Sequence, residues 1–275
     1  MSEASARRAA ARLTRDAVFG VALSVQEYFA LLARVLRSCV TRPLYARDLV
    51  QQMDTIGVAS LFIVILTGLF TGMVLALQSA VEMEQFGATI YIGRVVGASA
   101  VRELGPVLTA LMVTGRAGAG MAAAIGAMTV TEQVDALRTM GVDPVRRLVT
   151  PRFFAALIML PLLTVISDLI AIFGGMLIAV VKLDLTPDLY IRSVYSVLSD
   201  NGFIFRYLPV DLVQGLGKPI VFGGLMALTS CFYGMRTSGG TEGVGRATTH
   251  AVVTSSILIL AADYFMTQIV IVLFL

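Results

Sequence analysis

Charged residues are scarce in this chain, and histidine and cysteine are scarcer still. Asp, Glu, Lys and Arg make up 14% of its 275 residues, whereas 57% are hydrophobic; soluble domains are about 25% charged. The single histidine, His250, is interpreted as structural, and Cys39 and Cys231 are far apart, in or near apolar segments. These residues predict neither a disulfide nor a metal site. The metalloprotease pattern H-E-x-x-H and the nucleophile elbow G-x-S-x-G are both missing from the sequence.

The sequence also lacks a phosphate-binding loop. Its nearest approach, Gly215-Leu-Gly217-Lys218, has neither the required spacing nor a following Ser or Thr, and it lies in an apolar run. The first residues do not have the apolar core and cleavage site of a secretory signal. We therefore expect no cofactor on this chain; if ATP is used, another subunit binds it.

Long apolar blocks are what the chain has instead, each near the ~20 residues that cross a bilayer as a helix. The fold class expected is all-α, a polytopic membrane protein with about five transmembrane helices. The predicted spans are approximately 56–80, 86–128, 153–181, 208–234 and 249–275. The second block is too long for one simple crossing, and two registers compete, one near 88–113 and one near 104–128.

Arginines indicate the orientation of the chain. Eight precede the first span and four more lie in or next to a charged segment at 129–151: Arg7, Arg8, Arg12, Arg15, Arg34, Arg37, Arg42 and Arg47, then Arg138, Arg146, Arg147 and Arg152. By the positive-inside rule both regions are cytoplasmic. Residues 16–40 are then best explained as an amphipathic helix in the membrane interface, with a sixth span as the alternative. This divides the chain into an N-terminal tail with its interfacial helix, 1–54, and a transmembrane domain, 55–275.

The charged segment 129–151 has the signals of a short helix between two spans. Thr129 and Glu132 have the T-x-x-E spacing of a capping box. Gly141 can adopt the left-handed conformation that ends a helix, and Pro144 prevents its continuation. Two acids and one arginine in this helix suit a groove on a protein better than an anionic lipid surface.

Two sets of side chains lie on roughly different faces of this predicted helix. Glu132, Asp135 and Arg138 are expected to face the partner. The apolar set could pack either way, and consists of Val130, Val134, Leu137 and Met140.

A few charged side chains interrupt the predicted spans. Arg102 and Glu103 in the second span and Lys218 in the fourth are candidates for lining a polar cavity. The alternative is a structural ion pair or snorkelling to the interface, and this applies equally to Asp168 and Asp263. An intramembrane enzyme would need acids such as Asp168, Asp211 and Asp263. The first span carries Gly68-x-x-x-Gly72, a spacing that permits close helix approach in lipid.

Several of these segments together match one family pattern. They are R-E-L-G-P-V at 102–107, G-R-A-G at 115–118, E-Q-V-D-A-L-R-x-M-G-V-D-P at 132–144, P-R at 151–152, Lys218, and G-V-G-R-A-T-T at 243–249. With these motifs, roughly residues 40–275 resemble the MlaE-type permeases, the membrane subunits of ABC lipid transporters that work with MCE proteins.

The resemblance implies a role for each segment. The charged helix would be the coupling helix that docks on a cytoplasmic ATPase, which binds ATP and Mg; its docking residues would be Glu132, Gln133, Asp135, Leu137, Arg138, Met140 and Gly141. Two permease copies would form a homodimer with lipid between them, and the polar lining of the lipid path would be Arg102, Glu103, Lys218 and Arg246. A ring of MCE domains would lie on the outer face, and a STAS-domain regulator often accompanies the ATPase.

The expected function is therefore transport rather than catalysis. The chain would move phospholipid between the bacterial inner membrane and an MCE shuttle, with its N-terminus cytoplasmic and no contact with nucleic acid. The alternatives are the same architecture carrying a sterol or another hydrophobic substrate, and a membrane scaffold that recruits an ATPase without transporting anything.

Overall fold

The computed structural model describes residues 3–38, 45–200, 203–204 and 208–274; Cys39 lies outside them. In that part of the chain, helices follow one another almost without interruption. They are α1 (Glu3–Ser38), α2 (Ala46–Ile56), α3 (Leu61–Glu84), α4 (Ile92–Ser99), α5 (Gly105–Val113), α6 (Ala119–Val130), α7 (Gln133–Thr139), α8 (Thr150–Leu183), α9 (Pro187–Asp200), α10 (Val210–Met235) and α11 (Gly240–Phe274). Between α9 and α10, β1 (Phe203–Ile204) pairs antiparallel with β2 (Leu208–Pro209).

Five helical stretches are long and apolar enough to cross a membrane. They are Ala46–Glu84, Thr89–Val130, Val145–Leu183, Gln214–Met235 and Gly240–Val272. The prediction of an all-α, polytopic membrane protein with five spans is thus confirmed. Within the described residues, α1 does not meet the same criteria, so no sixth span is found there. The expected boundary between residues 54 and 55 falls inside α2.

α1 lies against the bundle rather than apart from it. Leu31 and Val35 are buried in the main core. Tyr28 shares a hydrogen bond with Thr229 of α10, with 3.0 Å between the hydroxyl oxygens. Burial of this tyrosine raises the pKa of its hydroxyl above the ordinary value. The opposite side of α1 is apolar as well, since Phe29 is 60% exposed, and this two-sided character suits a helix between protein and lipid.

The second span is one long helical stretch that includes nearly all of both competing registers, 88–113 and 104–128. Thr89–Val130 is one helical stretch of 42 residues, which at 1.5 Å per residue is about 60 Å long. Two π-helical turns interrupt it, Ala100–Leu104 and Thr114–Gly118. Such turns widen the helix locally, and they occur often at functional sites. Three of the four charged residues of this span, Arg102, Glu103 and Arg116, lie within these turns, and the fourth, Arg94, lies in α4.

Small residues bring α3 and α8 into close contact. A Cβ atom added to Gly68 would lie 2.7 Å from the carbonyl oxygen of Ser167, and one added to Gly72 would overlap the backbone of Ala171. Neither position has room for a side chain, so the backbones meet directly. The close approach expected from Gly68-x-x-x-Gly72 is confirmed.

The bundle has two distinct ends, which we name for the short helices that mark them. At the α7 end, the start of α2 meets the start of α8, and Asp48 pairs with Arg147 at 2.7 Å. At the α9 end, Tyr190 and Val194 pack on α4 with Ile92 and Val96. Burial raises the pKa of the Tyr190 hydroxyl above its ordinary value.

Candidate functional site

A buried lysine connects three spans. Lys218 of α10 has no exposed side-chain surface, and its Nζ atom is surrounded by oxygen atoms. Nζ donates to Glu103 Oε2 at 2.5 Å, to Thr267 Oγ1 at 2.7 Å and to the Arg102 carbonyl oxygen at 3.0 Å. Asp263 Oδ1 lies 2.9 Å away as a second carboxylate. We call Glu103, Lys218, Asp263 and Thr267 the Lys218 cluster. Because an ammonium has three donors, all of its hydrogen-bonding capacity is used here.

The sequence around Pro106 explains why a lysine fits at this point. Proline has no N–H, so the carbonyl oxygen of Arg102, four residues earlier, lacks its usual helical partner. The π-helical turn Ala100–Leu104 lies immediately before, and the carbonyl of Val101 faces Gly215, one turn of α10 before Lys218. Lys218 Nζ takes the place of the missing donor to Arg102. The motif R-E-L-G-P thereby provides Lys218 with two partners, the free carbonyl oxygen of Arg102 and the carboxylate of Glu103.

The members of the Lys218 cluster differ in what they present to the surroundings. The side chain of Glu103 is 38% exposed and that of Asp263 is 20% exposed, whereas that of Lys218 is 0% exposed. Gln214 also reaches Glu103, with its Nε2 atom 3.3 Å from Oε1. Glu103 is therefore the most accessible charged group of the cluster, and Lys218 is the buried counter-ion with which it pairs.

The structure brings three of the four residues predicted for the lipid path together. Arg102, Glu103 and Lys218 are in direct contact. Arg246 is not with them: it lies on α11 at the opposite end from Asp263, 17 residues away in sequence, or about 25 Å along the helix. There it pairs with Glu242 at 3.6 Å, exposed.

Two members of the Lys218 cluster were missed as path residues. For Asp263 the sequence leaves open a polar lining, a structural ion pair, snorkelling to the interface and an enzymatic acid, and it gives Thr267 no role. A signal for them exists, because Asp263 and Thr267 are four residues apart and share one face of a helix. The ion pair is the interpretation that the structure favours for Asp263.

The acids proposed for an intramembrane enzyme have separate neighbours. Asp168 is buried in α8, and its carboxylate lies against Gly105, which follows the first π-helical turn. Asp263 instead pairs with Lys218, and the side chain of Asp211 lies outside the described residues. The described part of the chain holds no group of three His, Cys, Asp or Glu side chains that could bind a metal ion.

The predicted capping box at the start of the charged helix is wrong. α6 continues through Thr129 to Val130, and α7 begins only at Gln133. Glu132 stands between them with a φ of 58°, in the left-handed region. The Thr129 hydroxyl donates to the Ile125 carbonyl at 2.9 Å and also lies 3.2 Å from the Gly234 carbonyl of α10. The Thr129 hydroxyl, which was expected to cap the helix, instead forms its hydrogen bonds within α6 and to the neighbouring span α10.

The predicted end of the helix is confirmed in detail. Gly141 has a φ of 75°. Its N–H donates to the Arg138 carbonyl at 3.0 Å, and the N–H of Val142 donates to the Leu137 carbonyl at 2.9 Å. This pair of bonds is the Schellman motif, which satisfies carbonyl groups at a helix end and needs a residue that tolerates positive φ.

One residue anchors α7 to the bundle. Val134 is buried and Leu137 is half-buried, whereas Met140 is 68% exposed. Met140 thus lies outward with the polar residues rather than inward with the apolar ones. The other exposed residues predicted for docking are Glu132, Gln133, Asp135, Arg138 and Gly141. Asp135 and Arg138 pair with each other at 2.8 Å on this exposed face.

Most of the chain matches one known protein family. The family model for the permease MlaE matches residues 49–269, from within α2 to near the end of α11. The chain belongs to the MlaE permease family. A probable ABC transporter permease protein of Rickettsia prowazekii is 43% identical to this permease over 250 residues, which are 91% of this chain and 92% of the relative.

Two further relatives have more specific names. The intermembrane phospholipid transport system permease protein MlaE of Haemophilus influenzae is 40% identical over 221 residues, 80% of this chain and 82% of that protein. The chloroplastic protein TRIGALACTOSYLDIACYLGLYCEROL 1 of Arabidopsis thaliana is 35% identical over 222 residues, 81% of this chain and 61% of that protein.

Proposed function

We propose that this permease is the membrane subunit of an ABC transporter that moves phospholipid between the bacterial inner membrane and an MCE-domain shuttle. The observation that carries the proposal is α7, a capped and charged helix that stands outside an apolar bundle and is anchored by Val134. The names of the relatives from Rickettsia prowazekii and Haemophilus influenzae support the transporter class and the substrate class respectively.

α7 has the position needed to transmit movement from an ATPase. It lies between α6 and α8, the ends of the second and third spans, so a force on it acts on both. Its exposed face combines Glu132, Asp135 and Arg138 with the apolar side chain of Met140. A groove on a protein accommodates such a mixed face. The ATPase would bind ATP and Mg, and this chain would supply the path and the contact.

The Lys218 cluster suits the recognition of a lipid head group. A two-tailed lipid needs an apolar cavity with a few charges that fix its polar end. Glu103 provides an accessible negative charge at the π-helical turn, and Lys218 pairs with it and donates to the backbone carbonyl of Arg102. Two copies of the permease would enclose this region from both sides. A sterol has no charged head group, so it would offer no charged group for the cluster to bind.

The orientation follows from the charges at the two ends. Arg138, Arg146, Arg147 and Arg152 all lie at the α7 end, which the positive-inside rule assigns to the cytoplasm together with the N-terminus. The α9 end would then face outward, where an MCE ring would receive lipid. A STAS-domain regulator would act on the ATPase and not on this chain.

Reversing charge on α7 tests the ATPase contact. We expect Glu132→Lys with Asp135→Lys to abolish co-purification of the ATPase, because both side chains are exposed on the proposed docking face. Asp188→Lys on α9 is the matched control, since this acid is equally exposed at the other end. Retention of the ATPase by the double variant would show that α7 is not the docking helix.

The substrate class is tested at the π-helical turn. We expect Arg102→Gln to reduce transfer of phospholipid more than transfer of sterol in the same reconstituted vesicles. Equal reduction of both would argue against head-group recognition by the Arg102 side chain. Phospholipid transfer unchanged by the substitution would do so as well.

A further inference from the structure

A groove runs beside α7 and borders the outward face of that helix at Gln133 and Met140. It has a volume of about 460 Å³ and lies between α2, α7 and the start of α8. Leu137 and Met140 form part of its apolar wall. Its polar wall contains three amides and three charged side chains: Gln51, Gln52, Gln133, Asp48, Arg147 and Arg152.

The charges of this wall do not balance. Asp48 is the one acid among the described residues that line the groove, and Arg147 already pairs with it at 2.7 Å. Arg147 is held further by the ring of Tyr45, whose centroid is 4.3 Å from the guanidinium carbon. The other arginine, Arg152, has no carboxylate within ion-pair distance among the described residues.

Arg152 is buried to a degree that makes this imbalance costly. It is 8% exposed, and its NH1 atom donates to the Leu148 carbonyl at 2.7 Å. Its Nε atom is buried without a hydrogen-bond partner in the described part of the chain. A guanidinium has five N–H donors and stays charged in proteins. Buried charges of this kind are normally paired, so the missing partner is expected to come from another molecule.

We propose that the groove between α2 and α7 receives a carboxylate side chain of the ATPase, with Arg152 as its counter-ion. The inference rests on the proposed function, because it places the contact of that same partner. The three glutamines would supply amide donors for the same carboxylate, and Leu137 and Met140 would contact the apolar part of its side chain. An ion pair in such surroundings is stronger than one on the exposed face of α7.

Through the groove, the ATPase would contact the first span at Gln51 and Gln52 and the third span at Arg152. The outward face of α7 belongs to the connection between the second and third spans, whereas Gln51 and Gln52 belong to the first. A carboxylate seated between them would move α2 and α8 together with α7.

The experiment measures the affinity of the ATPase for the full-length permease in nanodiscs made of phosphatidylcholine alone. Arg152→Gln removes the counter-ion, and Gln52→Glu leaves Arg152 in place but adds a competing negative charge to the wall. We expect each to weaken binding by about tenfold or more, as for other charge pairs in protein interfaces. We also expect weaker salt dependence in Arg152→Gln than in the unmodified permease.

Two matched controls lie at the other end of the bundle. Arg192→Gln removes an arginine from an exposed pair with Asp188, and Gln78→Glu makes the same chemical change as Gln52→Glu on an exposed helix surface. Both are expected to bind the ATPase with unchanged affinity. Because Gln52 is not a core residue, its variant keeps the test valid even if Arg152→Gln fails to fold.

The possible outcomes separate the inference from the proposed function. Normal ATPase binding by Gln52→Glu would overturn the groove contact while leaving the transporter in place. No binding by the unmodified permease would instead contradict the ATPase partnership itself. If the Arg152 effect appears only after phosphatidylglycerol is added to the nanodiscs, the anion is a lipid phosphate and the proposal is wrong.

Discussion

At the scale of single residues, Lys218 is a fully buried cation that holds charged and polar groups of three spans together. A buried cation within a membrane span needs anionic partners at close range. Lys218 has two, Glu103 and Asp263, and each belongs to a different span. The same side chain also satisfies the Arg102 carbonyl that Pro106 leaves open. Removing its charge would leave two carboxylates without their shared cation.

Lys218→Met should therefore destabilise the permease strongly. We expect a loss of about 3–5 kcal/mol in the free energy of unfolding, the range found when one partner of a buried ion pair is removed. Chemical unfolding of the detergent-solubilised protein measures it. Lys182→Met is the control, because the chain's only other lysine is exposed at the end of α8.

Removing the carboxylates together with the lysine distinguishes charge from packing. The triple variant Lys218→Met, Glu103→Gln, Asp263→Asn should recover a large part of the lost stability, since no uncompensated charge then remains. Equal instability of the triple and single variants would mean that the shape of the lysine side chain, and not its charge, holds the three spans together.

The sequence predicts one half of the Lys218 cluster and not the other. Glu103, Lys218 and Asp263 are recognisable as charges in apolar runs. The contact of Asp263 and Thr267 with Lys218 is not predictable, because α11 carries several polar residues and only its rotation about its own axis decides which of them face α10. That rotation depends on how α11 packs against α6 and α10, and the sequence of α11 alone does not determine this packing.

At the scale of elements, direct backbone contact joins the first and third spans. Gly72 lies against the backbone of Ala171, and Gly174 lies against the Leu69 carbonyl. Inside a bilayer, an apolar helix surface is buried equally well by lipid and by protein. Close packing must therefore stabilise the association of two helices. A single side chain added at Gly72 would overlap the backbone of α8 and disturb this contact.

Gly72→Leu should separate α3 from α8 and reduce the yield of folded permease. Overpacking of a tight interface costs about 1–3 kcal/mol or more, and here the obstructing atoms are backbone that cannot rotate away. Size-exclusion profiles and melting temperatures in detergent measure the effect. Gly120→Ala is the control: nothing lies within 4 Å of its added Cβ, so we expect no loss.

The two ends of α7 show where local sequence suffices and where it does not. The Schellman motif at Gly141 depends on residues within one turn, and its prediction is confirmed. The capping box failed because Thr129 makes a contact with Gly234, more than a hundred residues away. A T-x-x-E pattern is equally compatible with a helix that simply continues, and here a distant carbonyl decides the outcome.

Gly141→Ala should loosen the end of α7 without unfolding the bundle. A left-handed φ costs a non-glycine residue about 1–2 kcal/mol, and this end of the helix is exposed. Hydrogen exchange measured by mass spectrometry should become faster for residues 137–142 and stay unchanged in α8. Gly245→Ala in α11, where φ is negative and space is open, should leave both regions unchanged; unaltered exchange at 137–142 in Gly141→Ala would count against the strained turn.

At the scale of the whole molecule, the number of spans is the most predictable property. Five apolar blocks give five helical stretches because each block is long enough to cross a bilayer. The length of the second was harder to predict. Its register is ambiguous in the sequence because either crossing contains charged residues. The structure accommodates Arg102, Glu103 and Arg116 in two π-helical turns of one long stretch.

Five spans place α7 and α9 on opposite sides of the membrane. In a background with Cys39 and Cys231 replaced by alanine, Met140→Cys and Ile191→Cys put exposed thiols at the two ends. With the outer membrane permeabilised, a membrane-impermeant maleimide should label position 191 in intact cells and position 140 only after lysis. Labelling of position 140 in intact cells would reverse the proposed orientation.

The central claim is that ATP hydrolysis on a partner moves lipid through this permease by way of α7. Transfer of fluorescent phospholipid from vesicles containing the permease and its ATPase to acceptor vesicles, with and without ATP, tests it most directly. We expect transfer that requires both ATP and the ATPase, and that falls to the level without ATP when Glu132 and Asp135 are both replaced by lysine. ATP-driven transfer that is undiminished in this variant, or transfer in unmodified permease that does not depend on ATP, would contradict the claim.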